Sequence, residues 1–593
     1  MDRRKSLKIL ASSSFVVMMP PVFNACTTRT PPKPGLQQPA SMYINWAAYD
    51  ELSDDVFLNE KLALQQLDEV LRLKKMGVRF DYYLMDAFWF DPDGGYRMWR
   101  KNDWSDEGKS WLNKCQENDI KPGLWISTNW MVAGPGYKFL NVIPEWEDAL
   151  SESGESFCLF EGGYLPHLLE TMRIYANNGI KAFKFDFADF GAVTPKSSSL
   201  YSAEEVQQKN EAALHKGLFE FKMEHPDVVL MAYNGYGGQY SDTFSAFQPT
   251  VDSKWLEVFD TLYCGDPRLA DIPTQNFWRS KDIYSDHMVQ NYLKNGIPHS
   301  RIDNSAFMIG KTGTCYYRGK RAWKGMLILS AARGGSLNTY YGNLELLTEA
   351  DAQWFAKVQQ LYYPLQQSAQ HSMIGGMPGK GEVYGFQHTV SEGMVLTLVN
   401  PKQSSETFSL PKNSAFEVLF ADEGFQPTVK GNEVSIGAEQ LLVLGSGKFT
   451  AESHGLGIGD YVRIPNQIKA VEIKYLEESH NQVTATYTPS SKETLRFIFQ
   501  VFDDKGQPKR VSGGSPPEGT KLAELLNIKV EQGGQPLPLE LEYDKAIWSG
   551  LSWVSAELKP ENWQADSPLV ISFQANIDEQ VKVKGELFEV VYS

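Results

Sequence analysis

The sequence predicts a (β/α)8 TIM barrel, an α/β fold, followed by C-terminal antiparallel β-sandwich domains. Three observations carry this reading. Strand-like apolar runs alternate with amphipathic helical runs eight times between residues 41 and 365. Carboxylates, a lysine and tryptophans gather where those strands end, which is the face on which a β/α barrel carries its chemistry. Beyond residue 365 the helical spacing stops, and short alternating runs separated by turn residues take over.

Taken in order, residues 42–46 form the first strand and 60–76 a long helix with leucines at helical spacing. Residues 80–90 are the second strand, closed by Asp91-Pro92-Asp93-Gly94-Gly95, a turn by composition. A helix over 105–118 leads to the third strand, 123–127. A helix over 165–180, ending in Asn177-Asn178-Gly179, leads to the fourth, Lys181-Ala182-Phe183-Lys184-Phe185-Asp186-Phe187-Ala188-Asp189-Phe190. Residues 204–224 are helical, 228–233 and 259–264 are strands five and six, and a loop around 240–254 is inserted between them. Helices over 280–295, 321–332 and 349–361 enclose strands at 298–303 and 336–341. The rival architecture, an open doubly wound sheet, lacks its glycine-rich dinucleotide turn after any early strand.

A hydrophobic fraction of 42% with 22% charged residues describes a globular chain, and 593 residues exceed what one core holds. The net charge of −16 argues against nucleic acid, which is bound by neutralising phosphates with lysine and arginine. The 15 tryptophans suit either sugar platforms or a large β-rich core. Asp2-Arg3-Arg4-Lys5-Ser6-Leu7-Lys8 and the short apolar run over 9–22 read as an export signal, too short and interrupted to span a membrane. Phe23-Asn24-Ala25-Cys26 resembles a lipobox, so lipidation is expected at Cys26 and localisation at the periplasm or cell surface. The domain reading is therefore signal 1–26, tether 27–40, barrel 41–365, β-sandwich 366–447 and a further β-domain 448–593. Trp548 and Trp553 in that last domain fit sugar stacking less well than core packing. Cys115, Cys158, Cys264 and Cys315 read as buried thiols, with no spacing for zinc and no disulfide framework.

An ionised Asp buried alone costs several kcal/mol, so a strand ending in Lys184 and Asp186 has to open into a polar cleft. Asp186 is read as catalytic for this reason. The same rim would carry Trp46, Asp86, Trp89, Trp125, Asn129, Asn234, Asp266, Arg268, Asp271 and Asp303. Paired carboxylates among tryptophans, with no His or Cys set for a metal and no cofactor motif, point to glycoside chemistry. Asp189 and Asp271 read as solvated loop carboxylates; were Asp271 the acid, Asp266 would be a sugar ligand.

Phe183-Lys184-Phe185-Asp186-Phe187 resembles the Lys-x-Asp strand of the α-galactosidase (melibiase) superfamily. Tyr83 to Phe90 is similar to its second strand, Gly123-Leu124-Trp125 to its third, and Tyr263-Cys264-Gly265-Asp266 lies where its acid/base falls. The resemblance implies a retaining exo-acting α-glycosidase without a cofactor, with Asp186 as nucleophile and Asp266 as acid/base. It also implies that Lys184 holds sugar hydroxyls and lowers the Asp186 pKa. Asp86 and Trp89 would grip the terminal sugar, and Trp46, Trp125, Asn234 and Arg268 would complete the pocket. Asp86-Ala87 stands where the superfamily carries paired Asp residues, which leaves the sugar open. Other α-glycoside specificities (α-glucoside, α-N-acetylgalactosaminide, β-L-arabinopyranoside) and a non-catalytic glycan-binding lipoprotein are the alternatives.

Overall fold

The computed structural model describes the chain from Leu36 to Tyr592, except residues 47–58, 88, 135–136, 237–251, 266–267, 304–306, 311–321, 413, 423–426, 460–464, 466, 514–518 and 542–549. The export segment, Cys26, Asp266, Cys315 and Trp548 lie outside the described residues.

The barrel comprises β1 (Ala40–Ile44), α1 (Glu60–Lys75), β2 (Tyr82–Met85), α2 (Lys109–Glu117), β3 (Lys121–Ser127), α3 (Tyr164–Asn177), β4 (Ala182–Asp186), α4 (Ala203–Glu224), β5 (Val229–Ala232), β6 (Thr261–Tyr263), α5 (Phe277–Lys294), β7 (Ile302–Asp303), β8 (Phe307–Ile309), α6 (Trp323–Ala332), β9 (Leu337–Gly342) and α7 (Glu349–Ser368). Its strands are all parallel, in the order β8-β9-β1-β2-β3-β4-β5-β6-β7. The two ends of that order are consecutive in the chain. They are drawn together by Ser336 N–H to Ser300 O at 3.1 Å and by Thr339 Oγ1 to Asp303 Oδ1 at 2.8 Å. The sheet thus curls onto itself, β7 and β8 sharing the seventh stave. Strands buried on both faces read as near-continuous apolar runs, which is why they were legible. Between β5 and β6 the described residues hold a 3-10 turn, Ser253–Glu257, in place of a long helix.

Helices α1, α4, α5 and α7 start at side-chain caps. Asn59 accepts Leu62 N–H at the head of α1, and Ser202 with Glu205 and Thr348 with Asp351 form capping boxes on α4 and α7. Leu62, Leu67, Val70 and Leu73 put one face of α1 into the core.

Beyond α7, a six-stranded sheet built around β10 (Gly393–Val399) and its partner Leu441–Gly447 faces a three-stranded sheet of 406–409, 433–436 and 428–430. Leu396 and Leu398 point into the sandwich, whereas Val395 and Val399 belong to the barrel's core. Two-faced burial welds this sandwich to the barrel; Tyr362 and Thr397 share a hydrogen bond at 2.7 Å, and Trp354 Nε1 donates to Leu456 O at 2.8 Å. The final segment forms two five-stranded antiparallel sheets around Leu495, Phe497, Phe499, Ile571 and Phe573. Trp553 is fully buried in that core, as its packing reading expects.

Three imidazoles stack at the seam between barrel and first sandwich. His371 lies 3.8 Å from His299 and 4.2 Å from His388, ring centre to ring centre. Burial holds His388 down to about 3 and pushes His371 and His299 below the ordinary histidine range. Their unfolded forms take up protons near pH 6.5 and their folded forms only at lower pH, so stability is lost as pH falls from about 6.5 toward 3. His388→Phe should flatten this loss, seen as a smaller drop in Tm than wild type between pH 7 and 4.

Candidate active site

β4 alternates. Phe183 and Phe185 face outward to Phe221 and Phe259, at 6.0 and 5.4 Å between ring centres. Lys184 and Asp186 therefore face the barrel interior. In the parallel register Trp125 of β3 lies beside Lys184 and Ser127 beside Asp186, which brings Trp125 Nε1 to 3.2 Å from Asp186 Oδ2. Across the barrel, Asp86 directly follows β2 and receives the Lys184 ammonium at 2.8 Å, while Asp186 Oδ2 is 3.9 Å from the same nitrogen. The ammonium also sits 4.2 Å from the ring centre of Tyr233.

Groups fixed to the backbone hold the Asp86 main chain and both carboxylates in place. Asn45 Oδ1 accepts the Asp86 N–H at 2.7 Å, and Asp86 Oδ1 accepts Ala87 N–H at 2.9 Å. Asp186 Oδ1 accepts from Asn234 Nδ2 at 2.8 Å, Asn234 N–H at 3.2 Å and Phe187 N–H at 3.0 Å. Two backbone devices make this possible. Phe187 has a φ of +50°, rare for a bulky residue, and its ring stacks on Phe139 at 5.4 Å. Gly235 has a φ of +98°, and a Cβ there would come within 2.2 Å of Ala188 O; only glycine lets the loop after β5 press against the end of β4.

Asp186 is only 5% exposed. Burial raises its pKa above the ordinary carboxylate range, and the Asp86 charge adds to this. Lys184, the Trp125 indole and the Asn234 amides oppose it without cancelling it. The lysine acts in the expected direction, yet the net shift is upward, because desolvation exceeds what one ammonium 3.9 Å away returns.

Five predicted positions gather at this point: Asp86, Trp125, Lys184, Asp186 and, from just past β5, Asn234. Trp46 reaches the rim edge-on to Tyr341 at 6.4 Å. Trp89 does not join them. It is 0% exposed, donates to Trp125 O at 3.1 Å and lies among Phe90, Tyr96, Trp99 and Tyr175. β2 ends at Met85, so the second-strand resemblance that placed Trp89 beside the sugar does not extend along the strand as far as residue 89. The Asn129 side chain holds the backbone of Asp189, accepting its N–H at 2.8 Å and donating Nδ2 to its carbonyl at 2.7 Å, and Ser156 Oγ donates to Asp189 Oδ2 at 2.6 Å. These contacts shape a loop, on which Asp189 is half-buried. Asp271 is likewise no free carboxylate: it pairs with Arg510 of the last domain at 3.0 Å. Arg268 is half-buried on the same loop.

A second buried cluster was not assigned a role from sequence. Asp303, ending β7, accepts Tyr233 OH at 2.6 Å and Thr339 Oγ1 at 2.8 Å, and Tyr233 and Tyr341 share a hydrogen bond at 2.7 Å. Through the Tyr233 ring this cluster abuts Lys184. The only signal for it in the sequence is a polar residue at the end of each of three strands. Among the described residues no group of three or more His, Cys, Asp or Glu is arranged to hold a metal.

No protein-family model matches the chain, and no curated protein matches it in sequence. Solved structures similar to it include the GH36 α-galactosidase AgaA from Geobacillus stearothermophilus in complex with stachyose, at 13% identity and TM-score 0.47, covering 69% of this chain and 56% of that one. This chain thus spans little more than half of that enzyme's length. A variant of trehalulose synthase MutB has 13% identity and TM-score 0.43, covering 70% of this chain and all of that one. Trehalose-6-phosphate hydrolase from Bacillus licheniformis has 12% identity and TM-score 0.44, with 70% of this chain covered. Likeness of this degree carries no argument about what this chain does.

Replacing Lys184 with Met strands two buried carboxylates without their cation. Urea unfolding of Lys184→Met at neutral pH should show a loss of about 3–5 kcal/mol.

Proposed function

We propose that this chain is an exported, retaining, exo-acting α-glycoside hydrolase of the α-galactosidase type, acting on oligo- or polysaccharides. The single observation that carries the reading is the Asp186 carboxylate. It is held at the C-terminal mouth of a β/α barrel by Asn234, Trp125 and its own Phe187 amide, with Lys184 and Asp86 beside it.

In this mechanism Asp186 attacks the anomeric carbon, forming a glycosyl-enzyme ester, while Asp266 protonates the departing glycosidic oxygen. Asp266 then takes a proton from water, which cleaves the ester with net retention. Hydrogen bonds from Asn234 and Trp125 fix the carboxylate's orientation, so little reorganisation accompanies attack. The Lys184–Asp86 pair presents one cation and one acceptor to hydroxyls of the terminal sugar. The leader over 1–26 would direct export, with a lipid on Cys26 keeping the enzyme at the membrane surface.

Incubation with a panel of aryl and natural α-glycosides tests the reading: release of a terminal sugar as the α-anomer is expected. Binding without cleavage of any of them would overturn it. Asp186→Ala should fall to background turnover, remain folded and recover partly with azide. The acid limb of kcat/KM should lie above the ordinary aspartate range, since Asp186 has to be ionised to attack. Trp125→Phe, which deletes a donor to that carboxylate, should move the limb to higher pH.

A further inference from the structure

The loop between β6 and α5 is held from outside the barrel. Three consecutive carbonyls are received by side chains of the C-terminal sandwich: Leu269 O by Arg510 Nη2 at 2.8 Å, Ala270 O by Trp553 Nε1 at 2.9 Å and Asp271 O by Gln500 Nε2 at 2.8 Å. Arg510 Nε also pairs with Asp271 Oδ2 at 3.0 Å, with the two side chains 9% and 12% exposed. Leu269 and Phe277, on either side of the loop, lie in the hydrophobic core of that sandwich, Phe277 at 6.3 Å from the Trp553 ring. Further along, the first sandwich takes over. The Glu439 carboxylate accepts the N–H groups of Gln275 and Asn276 ahead of α5, and Arg279 in the first turn of α5 pairs with Asp422 at 2.8 Å.

Strand-to-helix loops on this face of a β/α barrel carry its reacting groups. This one carries Arg268, one residue before the first clamped carbonyl. Loops are ordinarily the mobile part of a barrel. Here a whole domain contributes a guanidinium, an indole and an amide to backbone carbonyls that a solvated loop would leave to water, and the same guanidinium pairs with the Asp271 carboxylate.

From this we infer that the C-terminal sandwich is a positioning module for the catalytic face, with Arg510 and Trp553 as its positioning residues. They act through Leu269, Ala270 and Asp271 on the acid/base side of the reaction. The inference rests on the glycosidase reading and assigns the last domain a role other than binding sugar.

The test uses the full chain. Hydrogen exchange of peptides covering residues 265–276 is measured alongside kcat/KM for two aryl glycosides, one with a good and one with a poor leaving group. In Arg510→Ala, exchange in this loop should rise. Activity on the poor leaving group should fall roughly ten- to hundred-fold, and on the good one less than about three-fold, because misplacing an acid matters only where protonation is needed. Arg510→Lys should recover part of the loss. Asp271→Asn, which removes the ion pair at constant size, carries the same measurements if Arg510→Ala does not fold. Unchanged exchange overturns the clamp, and an equal fall on both substrates overturns the acid/base role. Wild-type protein that cleaves neither substrate overturns the glycosidase reading instead, while the exchange result still decides the clamp.

Discussion

An ammonium held between two carboxylates inside the mouth of the barrel is the interaction on which the rest of this structure depends. Asp86, Lys184 and Asp186 are all nearly out of contact with solvent, and Coulomb attraction alone does not repay the desolvation of three charges. The surrounding chain is built to supply the difference. The Asn234 amides, the Trp125 indole and the main-chain N–H groups of Ala87 and Phe187 each bring a donor to one of the carboxylates. The left-handed Phe187 and the glycine after Asn234 are the local strain that puts those groups in place. Burial outweighs these donors, and the Asp186 carboxyl stays raised above its ordinary pKa.

The same logic of burial explains why the sandwiches are not loosely appended. One face of the first sheet belongs to the barrel's own core, and the histidines packed at that seam stay neutral at neutral pH because burial disfavours their charged forms. The last sandwich meets the barrel at a loop, through directed polar contacts to backbone carbonyls around one buried indole. Apolar sheet-to-helix packing fixes where a domain sits. Guanidinium and indole donors aimed at carbonyls fix where a particular loop sits, which is a finer constraint.

The departures from sequence-level expectation share one cause. Trp89, Asn129, Asp189 and Asp271 are polar or amphipathic residues beyond the ends of strands, in loops whose direction no local period sets. Trp89 turns into the aromatic core, Asn129 and Asp189 tie two loops together, and Asp271 finds an arginine 239 positions away. A carboxylate's partner at that separation has no signature in local composition.

What the sequence alone determined is the barrel and the strand that carries Lys184 and Asp186 into its mouth. Two-faced burial leaves continuous apolar runs, caps mark the helix starts, and Lys184 and Asp186 two residues apart on such a strand cannot both face a greasy layer. The existence of α5 and β6, with ends within three residues of those expected, and the small sandwich follow from the same local rules of period and propensity. Only the tertiary structure decided that Lys184 is shared with Asp86, that burial outweighs it at Asp186, that Tyr233 and Asp303 close the network, and that the last domain grips the loop after β6. Each of these depends on distances between residues remote in sequence and on how much water is excluded around them, quantities that exist only once the chain has folded.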